Sequence, residues 1–369
     1  MSIDRRVLLK AGAVMSAAAA MSNPAWAEAD FDPRPGRWRR FDVVTHIELA
    51  KNAGKAQAWI PVPAVNEQEW FRSLGNDWSS NGRVSLVGGA QYGAAMLHIE
   101  WRDDERSPMV EVTSKIAVRD RAIDFAKPSR PVALSPAERE HNLQGTALIP
   151  VDGIVKQTSD KIVGNANAKS DIEKARAIYE WVVENTFRDP NVRGCGLGDI
   201  VAMLKTGNFG GKCADLNALF VGLARAAGVP ARDIYGIRVA PSRFGYKSLG
   251  TAGEVITRAQ HCRSEVYLAG IGWVPVDAAD VRKVVLEEPP INLALGDPKV
   301  AAVRAALFGS WETNWLAYNF AQDIALPGSE GPKVSFLMYP QAEIDGVRVD
   351  CLDADSFKYV ITAKELAAA

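Results

Sequence analysis

The chain has 369 residues, with 43 lysine and arginine residues against 44 aspartate and glutamate residues. At about 100–200 residues per domain, this length allows two or three domains with their own cores. A formal net charge of −1 argues against nucleic acid or an anionic membrane as the main partner, because both bind through a basic excess. Four cysteines are too few for a disulfide scaffold, so each needs its own explanation.

The first 27 residues resemble a twin-arginine export signal. Arg5 and Arg6 precede an apolar, alanine-rich stretch, and residues 25–27 read AWA, the small-residue pattern of a cleavage site. Neither this stretch nor any later one is long enough to span a bilayer. We therefore predict a periplasmic or secreted protein without a membrane segment after cleavage, of undetermined oligomeric state. Residues 28–36 predict a linker, because two prolines and a glycine disfavour helix and strand.

Residues 37–130 predict an antiparallel β-sandwich as an accessory domain. Apolar and polar residues alternate in several short runs, such as 40–49 and 109–118, and turn residues separate these runs. His46 and His98 each lie inside an alternating run, so strand packing explains them better than catalysis does. A proline-rich stretch then ends this domain.

Helical periodicity begins after this boundary and predicts a catalytic domain over 131–300. Ser170 and Glu173 have the spacing of a capping box, and an apolar stripe follows them. A second helix is predicted over 213–227, where a glycine and a proline stop it. Residues 301–369 alternate again and predict a C-terminal extension with strands. The predicted fold class is therefore α+β.

A glycine-rich loop opens the second of these helices, and residues 207–215 read GNFGGKCAD. A phosphate-binding loop needs a glycine where Thr206 stands and a serine or threonine where Cys213 stands, so that interpretation fails. What remains is a thiol in the first turn of a helix, where the helix dipole and Lys212 favour the thiolate. Cys213 is therefore a candidate nucleophile, although a buried structural cysteine would fit this stretch alone equally well.

Two β-rich runs flank the turn AGIG at 269–272 and predict an antiparallel hairpin. Centring the hairpin on the first residue of this turn places His261 beside Asp277 on the neighbouring strand. A carboxylate in that position holds the tautomer and orientation of the imidazole, and a slip of one residue would destroy the pairing. We therefore predict Cys213 as nucleophile, His261 as base and Asp277 as the orienting group. Asp280 is the weaker candidate, because it lies outside the register.

These residues together resemble the transglutaminase-like superfamily, whose fold is related to that of papain-type thiol enzymes. The resemblance covers about 170–285. It is carried by GKCAD at 211–215, LARAAGVPAR at 223–232, HCRSEV at 261–266 and GWVPVD at 272–277. The resemblance implies a papain/transglutaminase-like core, in which a helix bearing the cysteine packs on an antiparallel sheet bearing the histidine and the aspartate.

The resemblance also implies a reaction. The thiolate would attack a carboxamide or peptide carbonyl, release ammonia or an amine and leave a thioester. Hydrolysis of this thioester would make the protein a cysteine protease or amidase, and transfer to a second amine would make it a cross-linking acyltransferase. An oxyanion hole is required, and the backbone N–H of Cys213 is one donor. Gln260, or a side chain from the helix that contains Trp181, is a candidate for the second donor.

Two departures from the family pattern lie beside the predicted triad. Arg263 stands where many members have an aromatic residue, and Ala278 stands where many have a proline. Neither changes the triad itself. We expect both to alter the acyl or acceptor pocket.

The other cysteines allow one disulfide, among three pairs, from Cys195, Cys262 and Cys351. A zinc site built from Cys195, Cys213, Cys262 and His261 is the rival interpretation, but no Cys-x-x-Cys pair supports it. Cys262 adjoins His261 on a strand and should point to the opposite face, away from the triad. We predict that the protein uses no metal and no cofactor.

Two functions from different classes remain. The first is an exported thiol hydrolase or acyltransferase that acts on peptide or protein amides. The alternative is a catalytically silent envelope binding or scaffold protein with the same fold. The intact cysteine, histidine and aspartate favour the enzyme, because a scaffold has no physical need to keep all three in register.

Overall fold

The computed structural model describes residues 31–50, 54–89, 93–127, 133–353 and 355–367. The twin-arginine signal predicted over 1–27 and its cleavage site lie outside these residues. The strands are β1 (Arg39–Glu48), β2 (Ala56–Val62), β3 (Phe71–Ser80), β4 (Arg83–Gly88), β5 (Ala95–Trp101), β6 (Met109–Val118), β7 (Arg121–Ala122), β8 (Phe187–Arg188), β9 (Gly210–Gly211), β10 (Ala231–Arg238), β11 (Gln260–Leu268), β12 (Gly272–Val276), β13 (Ser310–Trp311), β14 (Trp315–Asn319), β15 (Gln341–Ile344), β16 (Val347–Arg348) and β17 (Lys358–Leu366). The helices are α1 (Pro136–His141), α2 (Gly153–Asn165), α3 (Asp171–Asn185), α4 (Ile200–Thr206), α5 (Cys213–Ala226), α6 (Ala278–Glu287) and α7 (Pro298–Ala306).

The N-terminal sandwich takes strands from both ends of the chain. One of its sheets has the order β17-β1-β6-β3 and the other has the order β16-β15-β2-β5-β4. Strand β17 pairs with β1 along its whole length, from Arg40 opposite Leu366 to Glu48 opposite Lys358. The last strands of the expected extension therefore complete the sandwich that the first strands begin. This pairing covers backbone groups that an edge strand would otherwise leave exposed.

The start of the expected extension belongs instead to the central sheet. That sheet is antiparallel and has the order β12-β11-β10-β14, so β14 returns from beyond the expected boundary at residue 300 to pair with β10. Trp311 and Trp315 are fully buried in this part of the core. The tail is therefore shared between the central sheet and the sandwich.

Helix α5 packs on this sheet and is buried along its whole length. Leu216, Leu219 and Phe220 are almost completely inaccessible, and each such side chain contributes about 1.5–3 kcal/mol by its burial. The capping box predicted at Ser170 and Glu173 is present at the start of α3. The α+β fold class is confirmed, with the cysteine-bearing helix on an antiparallel sheet. Among the described residues, no helix has both the length and the apolar character needed to cross a membrane.

The described part of the predicted linker is anchored to the core. Residues 31–36 form neither helix nor strand, as expected. Phe31 is nevertheless buried, and its ring centroid lies 5.2 Å from that of Phe244 and 5.3 Å from that of Tyr246. An aromatic side chain can therefore hold a proline-rich segment in place without regular secondary structure.

Candidate active site

The loop before α5 is held in place by Asp215, in the third position of the helix. Its carboxylate accepts hydrogen bonds from the backbone N–H groups of Lys212 and Gly198, both at 2.9 Å. Gly198 belongs to an earlier loop, which precedes α4. That loop passes so close to Asp215 that a Cβ on Gly196, where φ is +93°, would lie 1.8 Å from a carboxylate oxygen of Asp215. This clamp sets where Cys213 begins the helix. The sequence motif contained Asp215, but its contact with a loop about 18 residues earlier could not be inferred from local patterns.

His261 and Asp277 form a hydrogen bond of 2.7 Å between Nε2 and Oδ2, and both side chains are buried. The predicted hairpin register is wrong by two residues, because Ser264 pairs with Val276 and the hairpin is centred on residue 270 instead of residue 269. Strand β12 ends at Val276, and Asp277 lies beyond it as the N-cap of α6. The side chains still meet, because moving the centre by one residue shifts the partner by two and preserves the face of the strand.

The carboxylate of Asp277 is held from several sides. Asn217 Nδ2 donates to its Oδ1 at 3.3 Å, and the backbone N–H of Asp280 donates to the same oxygen at 3.1 Å. The Nε of Arg263 lies 3.6 Å from Oδ2. Burial and the neighbouring Asp280 carboxylate raise the pKa of Asp277, while the charge of His261 opposes this shift. Local sequence patterns do not indicate the role of Asn217, since only tertiary packing joins α5 to the start of α6.

Asp280 also faces the imidazole. One of its carboxylate oxygens lies 3.4 Å from His261 Nε2, and Arg238 Nη2 contacts both of its oxygens at 2.6 Å. Burial alone would raise the pKa of Asp280, but the charge of Arg238 outweighs burial and holds this pKa well below its usual range. The site therefore contains two carboxylates beside one histidine, and an arginine neutralises the second.

His261 and Cys213 are shifted towards a charged pair. Burial would lower the pKa of His261, but the carboxylates of Asp280 and Asp277 prevail and raise it to about 9. The neighbouring thiols of Cys195 and Cys262, together with the polar contact and charge of His261, outweigh burial and lower the pKa of Cys213 well below its usual value. This arrangement favours a thiolate and an imidazolium at neutral pH.

Cys262 lies beside the candidate nucleophile, contrary to our expectation. Its Sγ is 3.7 Å from the Sγ of Cys213. Neighbouring residues of a strand do point to opposite faces, but helix α5 packs on the face that Cys262 occupies. The thiol of Cys195 donates to the backbone carbonyl of Gln260 at 3.3 Å. All four cysteines, including Cys351, are free thiols.

The four residues of the rival zinc site are neighbours, but in the described chain their ligand atoms do not all lie within 4.8 Å of one another. Within the described chain, the one histidine, cysteine and carboxylate group whose ligand atoms all lie within 4.8 Å of one another is His261, Asp277 and Asp280. Arg238 and Arg263 already lie against these carboxylates. Their positive charge already compensates the charge of the two carboxylates.

A cavity of about 430 Å³ opens beside the sulfur of Cys213. His261 and Gln260 line it, and the Nε2 of Gln260 is buried with no acceptor among the described residues. Trp181 does not line this cavity. Its ring packs edge-on against Phe209, with centroids 5.6 Å apart, and it faces a separate groove on α3. Of the two candidates for the second oxyanion donor, the structure places Gln260 at the site.

Neither of the two departures from the family pattern is among the described residues that line the cavity, so their expected effect on the acyl or acceptor pocket stays a prediction. Arg263 is buried behind Asp277, between Trp311 and Trp315, with its guanidinium 5.3 and 5.0 Å from the two ring centroids. Burial lowers the pKa of Arg263 to about 10. Ala278 is buried at the first position of α6. Arg263 therefore supports the carboxylate of Asp277.

Comparison with known proteins agrees with this geometry. Residues 156–278 match the family model of the transglutaminase-like superfamily. A Haemophilus influenzae protein described as uncharacterized is 38% identical over 331 residues, which are 85% of this chain and 87% of that protein. The crystal structure of a candidate cysteine protease from Cytophaga hutchinsonii has a TM-score of 0.57 and 14% identity, and the match covers 91% of this chain and 93% of the other. At this identity the likeness concerns the fold alone. The chain belongs to the transglutaminase-like superfamily.

Proposed function

We propose that the protein is an exported thiol enzyme that forms a thioester with peptide or glutamine-type amides. The observation that carries the proposal is the buried 2.7 Å hydrogen bond between His261 and Asp277, beside a cysteine at the start of a helix. A buried carboxylate on the far nitrogen of an imidazole leaves the other nitrogen available to serve a nucleophile. The catalytic residues proposed are Cys213 and His261, and Asp277 positions the imidazole.

Acylation follows from the charged pair. The Cys213 thiolate attacks the carbonyl carbon of the amide and forms a carbon–sulfur bond. The carbon–nitrogen bond then breaks, and His261 gives its proton to the departing ammonia or amine. A thioester and a neutral imidazole remain, so charge and protons balance.

Deacylation runs through the same imidazole. Neutral His261 takes a proton from water or from a second amine as that molecule attacks the thioester carbonyl. The carbon–sulfur bond breaks, and the thiolate and imidazolium are restored. Water as acceptor gives a protease or amidase, and an amine gives an acyltransferase.

The negative charge on the carbonyl oxygen needs donors during both attacks. The backbone N–H of Cys213 belongs to the first turn of a helix, where amides have no partner within the helix. The buried Nε2 of Gln260 has unused donor capacity and lines the same cavity. We propose these two groups as the oxyanion hole.

The decisive experiment uses the full chain and a peptide library, with and without an added amine, and reads the products by mass spectrometry. We expect a Cys213-linked thioester and a product that gains either water or the amine. Cys213→Ala should abolish both species, whereas the matched thiol variant Cys351→Ala should retain them. A folded protein that yields no thioester with any peptide would favour the silent scaffold instead.

Export is proposed on the sequence signal alone. The precursor should lose residues 1–27 in a bacterial host, and Arg5→Lys combined with Arg6→Lys should block this loss. Mass spectrometry of the periplasmic fraction gives the N-terminus of the mature chain. A chain that keeps Met1 and stays in the cytoplasm would overturn the export proposal without touching the chemistry.

A further inference from the structure

The cavity beside Cys213 carries a surplus of positive charge. Among the described residues, its lining contains six lysine and arginine side chains and no aspartate or glutamate: Arg188, Arg193, Lys212, Arg238, Arg258 and Lys283. The whole chain has a net charge of −1, so this surplus is a local property of the cavity and does not reflect the composition. Clefts lined by charge of one sign concentrate ligands of the opposite sign.

Carboxylates behind the lining neutralise part of this charge. Asp280 pairs with Arg238, and Asp350 pairs with Arg193 at 2.5 Å. Glu287 serves two cations, since it contacts both Arg188 and Lys283. Three carboxylates therefore pair with four of the six cations.

The two remaining cations have no carboxylate within 4 Å in the described part of the chain. Lys212 directly precedes Cys213 and is half-buried at the cavity. Arg258 lies two residues before Gln260 and is exposed at the same cavity. A nearby carboxylate offsets much of the electrostatic potential of the cation that it pairs with. Lys212 and Arg258 are therefore the two cations of the lining whose charge is most available to a ligand.

We propose that this cavity binds a carboxylate on the acyl side of the substrate, with Lys212 and Arg258 as the recognition residues. The substrate class is therefore a peptide amide with a free carboxylate near the reacting carbonyl. That carboxylate is either an aspartate or glutamate side chain or an α-carboxylate, as in a γ-linked glutamyl amide. This inference rests on the proposed function, because it specifies the substrate of the same site.

The first test does not require turnover. Iodoacetate and iodoacetamide alkylate the same thiolate, but only iodoacetate is an anion. The ratio of their rate constants at Cys213, divided by the same ratio for glutathione, therefore reports the local potential. We expect this normalised ratio to exceed one in the full chain and to fall about fivefold in the double variant Lys212→Gln/Arg258→Gln. Because the variant keeps His261, the fall measures the two cations alone.

A matched variant removes two lysines outside the cavity. Lys161→Gln/Lys205→Gln makes the same change in net charge on exposed positions of α2 and α4, and it should leave the ratio unchanged. Raising the salt concentration should lower the ratio of the unmodified chain towards that of its Lys212/Arg258 variant. A normalised ratio of one that neither the variant nor salt changes would overturn the inference.

The second test separates the two carboxylate sources and the two proposals. Peptides are compared in pairs that differ only by glutamate against glutamine, or by a free against an amidated α-carboxylate. We expect the acidic member of at least one pair to have the lower KM, and the Lys212→Gln/Arg258→Gln variant to have the same KM for both members of that pair. Turnover that depends on Cys213 but is equal for acidic and neutral members overturns the inference alone. A folded chain whose Cys213 reacts with neither alkylating reagent overturns the proposed function, and the inference falls with it.

Discussion

Strand β11 carries two groups of buried charge on one face, and the two are built differently. His261, Arg263 and Glu265 alternate along the strand and therefore share a face. At one end His261 meets Asp277 beside a cavity. At the other end Glu265 is enclosed by protein on all sides and has no exposed surface.

The Glu265 group is fully paired. One carboxylate oxygen accepts from Arg121, and the other accepts from Arg232 at 2.7 Å. Arg232 also reaches Glu67 at 3.2 Å, and Arg121 donates to the carbonyl of Trp273. Burial would raise the pKa of Glu265, but the two arginines hold it below its usual value. This group ties β7 and β10 to β11, and none of its atoms is among the buried unpaired atoms of the described residues.

The His261 group keeps unused bonding capacity. Buried atoms without a partner in the described residues include the Nε of Arg263, the Oδ1 of Asn217 and the Nε2 of Gln260. Buried polar atoms are usually paired. Of these three residues, Gln260 lines the cavity, so its unpaired Nε2 marks a place where a ligand completes the bonding. The comparison teaches that buried charge alone does not identify a site. The two groups differ in whether all of their buried polar atoms have hydrogen-bond partners within the protein.

The largest expected effect is the loss of activity after a substitution in the His261 group. Asp277→Asn should lower kcat/KM about 10³–10⁴-fold, because the amide no longer holds the imidazole as an ionised carboxylate does. The free energy of unfolding should fall by less than in Glu265→Gln, since asparagine can still cap α6 and Asp280 remains beside His261 as a counter-charge. Steady-state kinetics and urea denaturation measure the two effects. A variant with near-normal kcat/KM would contradict the role of Asp277.

A substitution in the Glu265 group should have the opposite effect, a large loss of stability with little change in activity. Glu265→Gln should reduce the free energy of unfolding by about 3–5 kcal/mol, because it leaves Arg121 and Arg232 buried without their counter-charge. The kcat/KM of the folded fraction should change little. Glu365→Gln is the matched control, because Glu365 pairs with Arg39 at the surface and is 44% exposed, so its loss should cost at most about 1 kcal/mol. If both variants lose the same free energy of unfolding, the buried Glu265 group stabilises the fold no more than a surface ion pair does.

The pH dependence of acylation should follow the ionisation of His261. The pKa of His261 is raised to about 9, so the imidazolium is present below that pH and is lost above it. We expect kcat/KM to fall about tenfold per pH unit above about pH 9. Asp280→Asn should move this limb to lower pH, because it removes the carboxylate that contributes most to the raised pKa. An unchanged limb in that variant would contradict the assignment to His261.

The smallest expected effect concerns the neighbouring thiol. Cys262→Ala removes a hydrogen-bond donor from the Cys213 thiolate, so the pKa of Cys213 should rise by about half to one pH unit, the equivalent of one hydrogen bond. Cys262→Ser keeps a donor and should show a smaller rise. The pH profile of iodoacetamide labelling measures both. Equal profiles for the two variants would indicate that Cys262 acts only by packing.

Local patterns predicted much of this protein. A capping box, the glycine-rich start of α5 and a hairpin turn each depend on residues a few positions apart, so the sequence contains all the information for them. The hydrogen bond between His261 and Asp277 was predicted for the same reason, although the turn is centred one residue later than expected. The prediction survived because a register shift of two residues keeps a side chain on the same face of the strand.

Contacts between distant segments could not be read from the sequence. Arg238 on β10 reaches Asp280, Asn217 reaches Asp277, and Cys262 approaches Cys213 only because α5, β10, β11 and α6 pack together. The sequence by itself determined the class of fold and the three residues proposed for the chemistry, since both follow from short-range periodicity and spacing. Tertiary structure alone decided the second carboxylate, the thiol neighbours, the basic cavity and the return of the tail into both sheets. Each of these depends on packing between elements that local patterns do not encode.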